Sequence, residues 1–194
     1  MAELCEGGDA ALSILISRWE RSLFAFAMRY LQQAEDAADI VQESFVRVYQ
    51  HRNRFRRGAR FSTWLFAIAA NLCKNRVRSR KRRPTVSFEF PDDESGNFEH
   101  PWLADSESVS PDQALLDQEQ IAAVKRAISE LPHNLKTALL LYQYEEMSYK
   151  EIAAIAGCSV KAVETRLYRA RNLLKEKLKG FLKTEKPSKI RTRI

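Results

Sequence analysis

Residues 84–116 constrain this chain more than any other stretch. They hold eight acids, no Lys or Arg, and Pro84, Pro91, Pro101 and Pro111, with no helical period. Such a stretch reads as a tether rather than a packed element. The rest of the chain carries 32 cations against 17 acids, so two basic blocks flank an acidic linker. A fold built on this sequence must consist of two units.

The first block, residues 9–83, is patterned as helix throughout. Asp9 can cap a helix whose apolar residues Leu12, Ile16, Trp19, Leu23, Phe26 and Tyr30 recur in steps of three and four. A second helix sets Ala37, Val41, Phe45 and Val48 on one side, with Asp36, Asp39 and Glu43 roughly opposite. A third has Ser62 as its expected cap, turns Leu65, Ile68 and Leu72 inward, and ends at Pro84. At ~1.5 Å per residue it spans about 33 Å. Its two ends differ sharply: Phe61, Trp64 and Phe66 open it, and seven of residues 74–83 are cationic (Lys74, Arg76, Arg78, Arg80, Lys81, Arg82 and Arg83).

The second block starts at Ser110-Pro111, a cap followed by proline at the first helical position. As a domain it is expected over 117–180, with a disordered basic tail over 181–194. Ile121, Val124, Ile128 and Leu131 form one stripe, interrupted by Pro132. Leu135, Ala138, Leu139 and Tyr142 form the next. In "SYKEIAAIAGCSVKAVETRLYRARNLLKE", Ser148 and Glu151 have the spacing of a capping box. Gly157 suits a left-handed turn, and Ser159 caps the following helix. Ile152, Ala156, Val163 and Leu167 are expected to meet across the turn, with small Ala153 permitting close approach. This is a helix-turn-helix. Its second helix offers Ser159, Lys161, Glu164, Thr165, Arg166, Tyr168, Arg169 and Arg171 to the DNA major groove. The fold class expected is all-α, with two small helical domains.

Composition narrows the function. A net charge of +7 and a pI near 9.4 point to a polyanion partner. Cys5, Cys73 and Cys158 are odd in number and far apart, which fits a reducing cytoplasm better than a disulfide framework. The longest uncharged run, residues 61–73, is thirteen residues, short of the about 20 that cross a bilayer. His51, His100 and His133 lack ligand spacing, and there is no glycine-rich phosphate loop. No catalytic residue, metal or cofactor is expected, and the chain is not read as an enzyme.

The segments "DAADIVQESFVRVYQ" and "FRRGARFSTWLFAIAANLCKNRVR" resemble region 2 of bacterial RNA polymerase sigma factors. "LPHNLKTALLLYQYEEMSYKEIAAIAGCSVKAVETRLYRARNLLKEKL" resembles their region 4. The two-domain layout looks like the extracytoplasmic-function (ECF) group, and the likeness covers about residues 9–180.

That resemblance implies a transcription initiation factor that joins core RNA polymerase. Region 2 would open and read the minus-ten element, and region 4 would read the minus-thirty-five element in promoter DNA. Loop 56–62 (Arg56, Arg57, Arg60, Phe61 and Ser62), with Trp64 and Asn71, would then border a pocket for a base flipped from the melted non-template strand. Taking bases from the stack costs a few kcal/mol per step, and stacking on rings returns about 1–3 kcal/mol per base. The cations of 74–83 would hold duplex phosphates. Asp39, Gln42 and Glu43 would grip a basic coiled coil of the polymerase's largest subunit, and helices around residues 135–142 would dock on the flap of the second-largest. The acidic linker would thread the RNA channel or, off the polymerase, cover the basic faces of both domains. Relatives are often held by an anti-sigma factor, so one is a candidate partner, although no residue identifies it. The alternative is a helix-turn-helix regulator that acts without joining polymerase.

Overall fold

The computed structural model describes residues 1–5, 9–56, 58–82 and 111–182. The acidic stretch up to residue 110, Arg57, Arg83 and the tail after residue 182 lie outside the described residues. Every regular element among those described is helical: α1 (Ala2–Cys5), α2 (Asp9–Leu31), α3 (Ala34–Gln50), a 3-10 turn (Arg52–Arg54), α4 (Phe61–Arg82), α5 (Pro111–Ser129), α6 (His133–Gln143), α7 (Tyr149–Ala156), α8 (Val160–Lys177) and α9 (Lys179–Leu182). None of them is long and apolar enough to cross a membrane.

In the first half α2, α3 and α4 pack pairwise. Leu23, Phe26 and Tyr30 of α2 meet Ala37, Ile40, Phe45 and Val48 of α3 and Leu65, Phe66, Ala69 and Cys73 of α4, all buried. Each large apolar side chain removed from water there contributes about 1.5–3 kcal/mol before entropy is counted. Phe66 is fully buried, with its ring edge-to-face on Phe26 at 5.4 Å and on Trp19 at 6.4 Å. It is a core residue and not an available stacking surface. Two expectations need correction. α4 starts at Phe61, which leaves Ser62 inside the first turn rather than capping it. Asp36 is only 7 % exposed, not on a solvated face opposite the core. Arg76 and Arg80 reach across from α4 and let that carboxylate be buried.

In the second half α6 is buried along almost its whole circumference, from Leu135 to Leu141. A helix enclosed on every side must have neighbours on every side, and α6 packs on α7 and α8 and also on α2 of the first half. α5 departs from its expected stripe: Ile128 and Leu131 are buried, while Ile121 is 52 % exposed and Val124 is also exposed. α7 and α8 form the helix-turn-helix. Ser148 Oγ accepts from the Glu151 amide, and the Glu151 carboxylate accepts from the Ser148 amide at 3.0 Å. Gly157 closes α7 at φ +58°, and Ser159 Oγ accepts from the Ala162 amide at 3.2 Å. Ile152, Val163 and Leu167 are buried at the crossing, whereas Ala156 is only half-buried there.

Candidate nucleic-acid interface

The loop before α4 is shaped by a turn in which the Ala59 amide donates to the Arg56 carbonyl at 3.1 Å. Gly58, at its third position, has φ +88°, a left-handed backbone that glycine adopts without steric cost. The turn sets Arg56 and Arg60 along the same cavity as Phe55 and Trp64, which belong to a group of three rings. Trp64 lies 5.3 Å from Phe55 and 6.4 Å from Phe61, and Phe55 lies 6.5 Å from Phe61, all tilted or edge-on. All three rings are partly exposed. Phe55 and Trp64, but not Phe61, border an open cavity of about 430 Å³ lined also by Arg54, Arg56, Arg60, Thr63 and Ala67, with Lys150, Glu151 and Ala154 of α7 along its other side. Asn71 is exposed one turn beyond Ala67 on the same helical face, outside this lining.

The cationic end of α4 separates into two sets. Arg76 donates to Asp36 at 2.6 Å and to Asp39 at 3.2 Å, and Arg80 pairs with Asp36. These two tie α4 to α3. Lys74, Arg78, Lys81 and Arg82 are exposed and carry no ion pair among the described residues. Asp39, Gln42 and Glu43 are exposed and line one groove between α3 and α4, with Asp39 held by Arg76 and Glu43 paired with Arg47 at 2.7 Å. On α8 the outward face presents Lys161, Glu164, Thr165, Tyr168, Arg169 and Arg171, with Tyr168 68 % exposed. Ser159 is exposed at the cap and Arg166 is half-buried. Thr165 Oγ1 donates to the Lys161 carbonyl at 3.0 Å, and the Arg171 guanidinium lies 5.5 Å from the Tyr142 ring.

Several residues of this region escaped the sequence reading. Phe55 completes the ring group, and an aromatic beside two arginines was a usable signal. Lys150 and Glu151 come from α7, which no local pattern placed at α4. Between the halves Lys136 is 5 % exposed, and it donates to the Ser129 carbonyl at 2.6 Å and the Tyr30 carbonyl at 3.4 Å. Burial pulls its ammonium below the usual lysine range. His133 Nδ1 hydrogen-bonds the Tyr30 hydroxyl. Burial, then the cations of Lys74, Lys136 and Arg166, push the His133 ring down to about 4. Burial likewise raises the Tyr30 phenol, and it takes the Cys73 thiol up to about 12, far from reactive.

Comparison with known proteins fixes the family. Sigma-70 region 2 matches residues 15–83, and Sigma-70 region 4 matches residues 121–174. The RNA polymerase sigma-H factor of Pseudomonas aeruginosa is 35% identical over 185 residues, which is 94% of each chain. The ECF RNA polymerase sigma-E factor of Escherichia coli K12 is 34% identical over 178 residues, 92% of each. The chain belongs to the ECF sigma factors. Among solved structures, the sigma factor RpoE in complex with the anti-sigma factor NepR from Bartonella quintana has a TM-score of 0.64 at 25% identity, covering 86% of this chain and 96% of that one. CnrH in complex with the cytosolic domain of CnrY shares the fold, with a TM-score of 0.66 at 24% identity over 95% and 96% of the two chains. As a sigma factor, the chain is a transcription initiation factor and not an enzyme, in agreement with the resemblance read from its two helical blocks.

Proposed function

We propose that this ECF sigma factor carries core RNA polymerase to its promoters by dividing recognition between its halves. Residues 9–83 form the region 2 unit and 117–180 the region 4 unit, and the acidic tether between them, over 84–116, runs into the first turns of α5 (Pro111–Ser129). The ring group of Phe55, Phe61 and Trp64, with Arg56, Arg57 and Arg60, takes bases of the melted minus-ten strand, and Asn71 extends that surface by one turn. Stacking accepts any base, so the cations and the loop shape supply the selectivity. Lys74, Arg78, Lys81 and Arg82 hold backbone phosphates of the adjoining duplex, with Arg83 continuing the run. Arg76 and Arg80 act chiefly by fixing α4 on α3. The α8 face reads the minus-thirty-five duplex, and Asp39, Gln42 and Glu43 dock on a basic element of the polymerase. The protein works in the cytoplasm, and an anti-sigma factor, as in the solved complex of RpoE, is its candidate inhibitor.

The observation that carries this reading is the pairing, in one chain, of a partly exposed ring group flanked by arginines at the start of α4 with a capped helix-turn-helix whose recognition face is exposed. Transcription with purified core polymerase on a randomised promoter library is the direct test. Start sites should share two sequence elements about 25 base pairs apart, with permanganate-reactive thymines at the downstream one. A chain that binds duplex DNA yet never joins core polymerase would instead be a conventional regulator.

A further inference from the structure

Reading two elements centred about 25 base pairs apart separates the two halves by roughly 85 Å, at 3.4 Å per base pair. In this structure they touch. Arg60, at the mouth of the ring cavity, donates to Glu151 of α7 at 2.7 Å. Lys150, Glu151 and Ala154 form one wall of the cavity itself. Glu151 spends its other oxygen on Ser148, whose hydrogen bonds, with Arg60 after them, hold its carboxyl below the usual range. An ionised carboxylate thus occupies the place at Arg60 that a DNA phosphate would take. We propose that α7 is an intramolecular cover that walls off the ring group and holds Arg60, so that the free chain is closed against single-stranded DNA while its α8 face stays open to duplex.

The seam that holds α7 there runs between α2 and α6. Lys136 supplies its ammonium to the carbonyl ends of two helices at once, α2 through Tyr30 and α5 through Ser129. Cations at helix C-termini satisfy orphan carbonyls and oppose the helix dipole. The Tyr30 hydroxyl meets His133, Ser22 donates to Glu145 at 2.5 Å, and the Arg29 guanidinium lies 4.2 Å from the Tyr144 ring. The buried apolar residues of the two halves belong to one continuous core, but these polar groups of the seam each regain water on opening, which lowers the cost of separation. The α8 residues Lys161, Glu164, Thr165, Tyr168 and Arg169 take no part in it and remain exposed.

This inference rests on the proposed region 2 role of the cavity, but its test does not need polymerase. Spin labels on Glu35→Cys in α3 and Lys175→Cys in α8, in full-length chain with Cys5 and Cys158 replaced by Ser, report the separation of the halves. The free chain should give one narrow, short distance. The seam is opened in two independent ways: by Tyr30→Phe with Lys136→Met, and by Ser22→Asp, which sets a carboxylate against Glu145 without touching the core. Each should lengthen and broaden the distance and tighten binding of a mixed-sequence single-stranded 10-mer at least tenfold. Affinity for a mixed-sequence 20-base-pair duplex should change less than twofold. A long, broad distance in the unaltered chain, or opened variants that bind single strand no better, overturns the proposal. Failure to initiate transcription with core polymerase would count against the functional reading and leave the distance result standing.

Discussion

Arg76 donates to Asp36 at 2.6 Å, and this pair decides which cations of α4 are free for DNA. Asp36 is buried and Arg80 joins it, so the two arginines are structural fasteners between α3 and α4. Asp36→Asn keeps the shape and removes the charge. Charge-assisted hydrogen bonds contribute about 1.5–3 kcal/mol. Since both arginines are more than a third exposed, solvent reduces the expected loss to about 1–2 kcal/mol. Thermal unfolding should register it, with Asp39→Asn costing under about 0.5 kcal/mol. By contrast Arg78→Ala should leave stability alone and lower the slope of log K against log salt for duplex binding by about 1. Equal salt slopes for Arg76→Ala and Arg78→Ala would show that Arg76 also grips phosphate.

The secondary structure was legible because local chemistry sets it. Ser148, Glu151, Gly157 and Ser159 each act within four residues of themselves, and each occupies its expected place. The tertiary role of Asp36 was not legible, because its burial depends on two arginines forty or more residues away on another helix. Ile121 and Val124 show the converse, an apolar period without a partner to bury it. Lys136 was missed for a related reason. A lysine on a periodic helix reads as solvated, and only the convergence of the ends of α2 and α5 makes its burial tolerable. The sequence marked rings and cations near one another in the candidate site, but contact of α7 with α4 lies between residues about ninety apart, which no local pattern encodes.

Gly157 turns the chain between α7 and α8 at φ +58°, and a Cβ built there would meet nothing within 4 Å. Any loss on substitution therefore comes from backbone preference alone. Gly157→Ala should lower stability by about 1–2 kcal/mol, the left-handed penalty for a residue with a Cβ. Gly157→Asn, which tolerates that region, should recover much of it. Chemical denaturation of the three proteins checks the order. An alanine variant as stable as the parent would mean that the turn relaxes to another conformation.

The His133 ring faces Tyr30 from α2, Lys74 from α4, Lys136 on its own helix and Arg166 from α8. In the closed chain it is neutral, with its proton affinity depressed to about 4. Freed into water it returns to about 6.5. Between those values the open state binds a proton that the closed state does not, so closure weakens as pH falls from about 6.5 toward 4 and is insensitive to this ring above 7. Glu145, raised by burial at the same seam, acts in the opposite direction. The spin-label separation should lengthen on acidification from pH 7 to 5. His133→Gln should flatten that response, and an identical response in the variant would assign the pH sensitivity to another group.

Arg169 and Asn71 separate the two recognition roles. Arg169 is exposed on the outward face of α8 with no ion pair among the described residues, free to make a bidentate contact with a guanine edge. Arg169→Ala should weaken minus-thirty-five binding by ~1–3 kcal/mol and relax preference at one base position. An equal loss on every sequence would reduce it to a phosphate contact. Asn71 lies a full turn from the cavity lining, so its reach to a flipped base depends on the strand running along α4 toward Arg78. Asn71→Ala should spare polymerase binding and impair strand opening or minus-ten selectivity, read by permanganate reactivity across single-base substitutions. Unchanged opening on all of them would confine base capture to the ring group itself, at Phe55, Phe61 and Trp64.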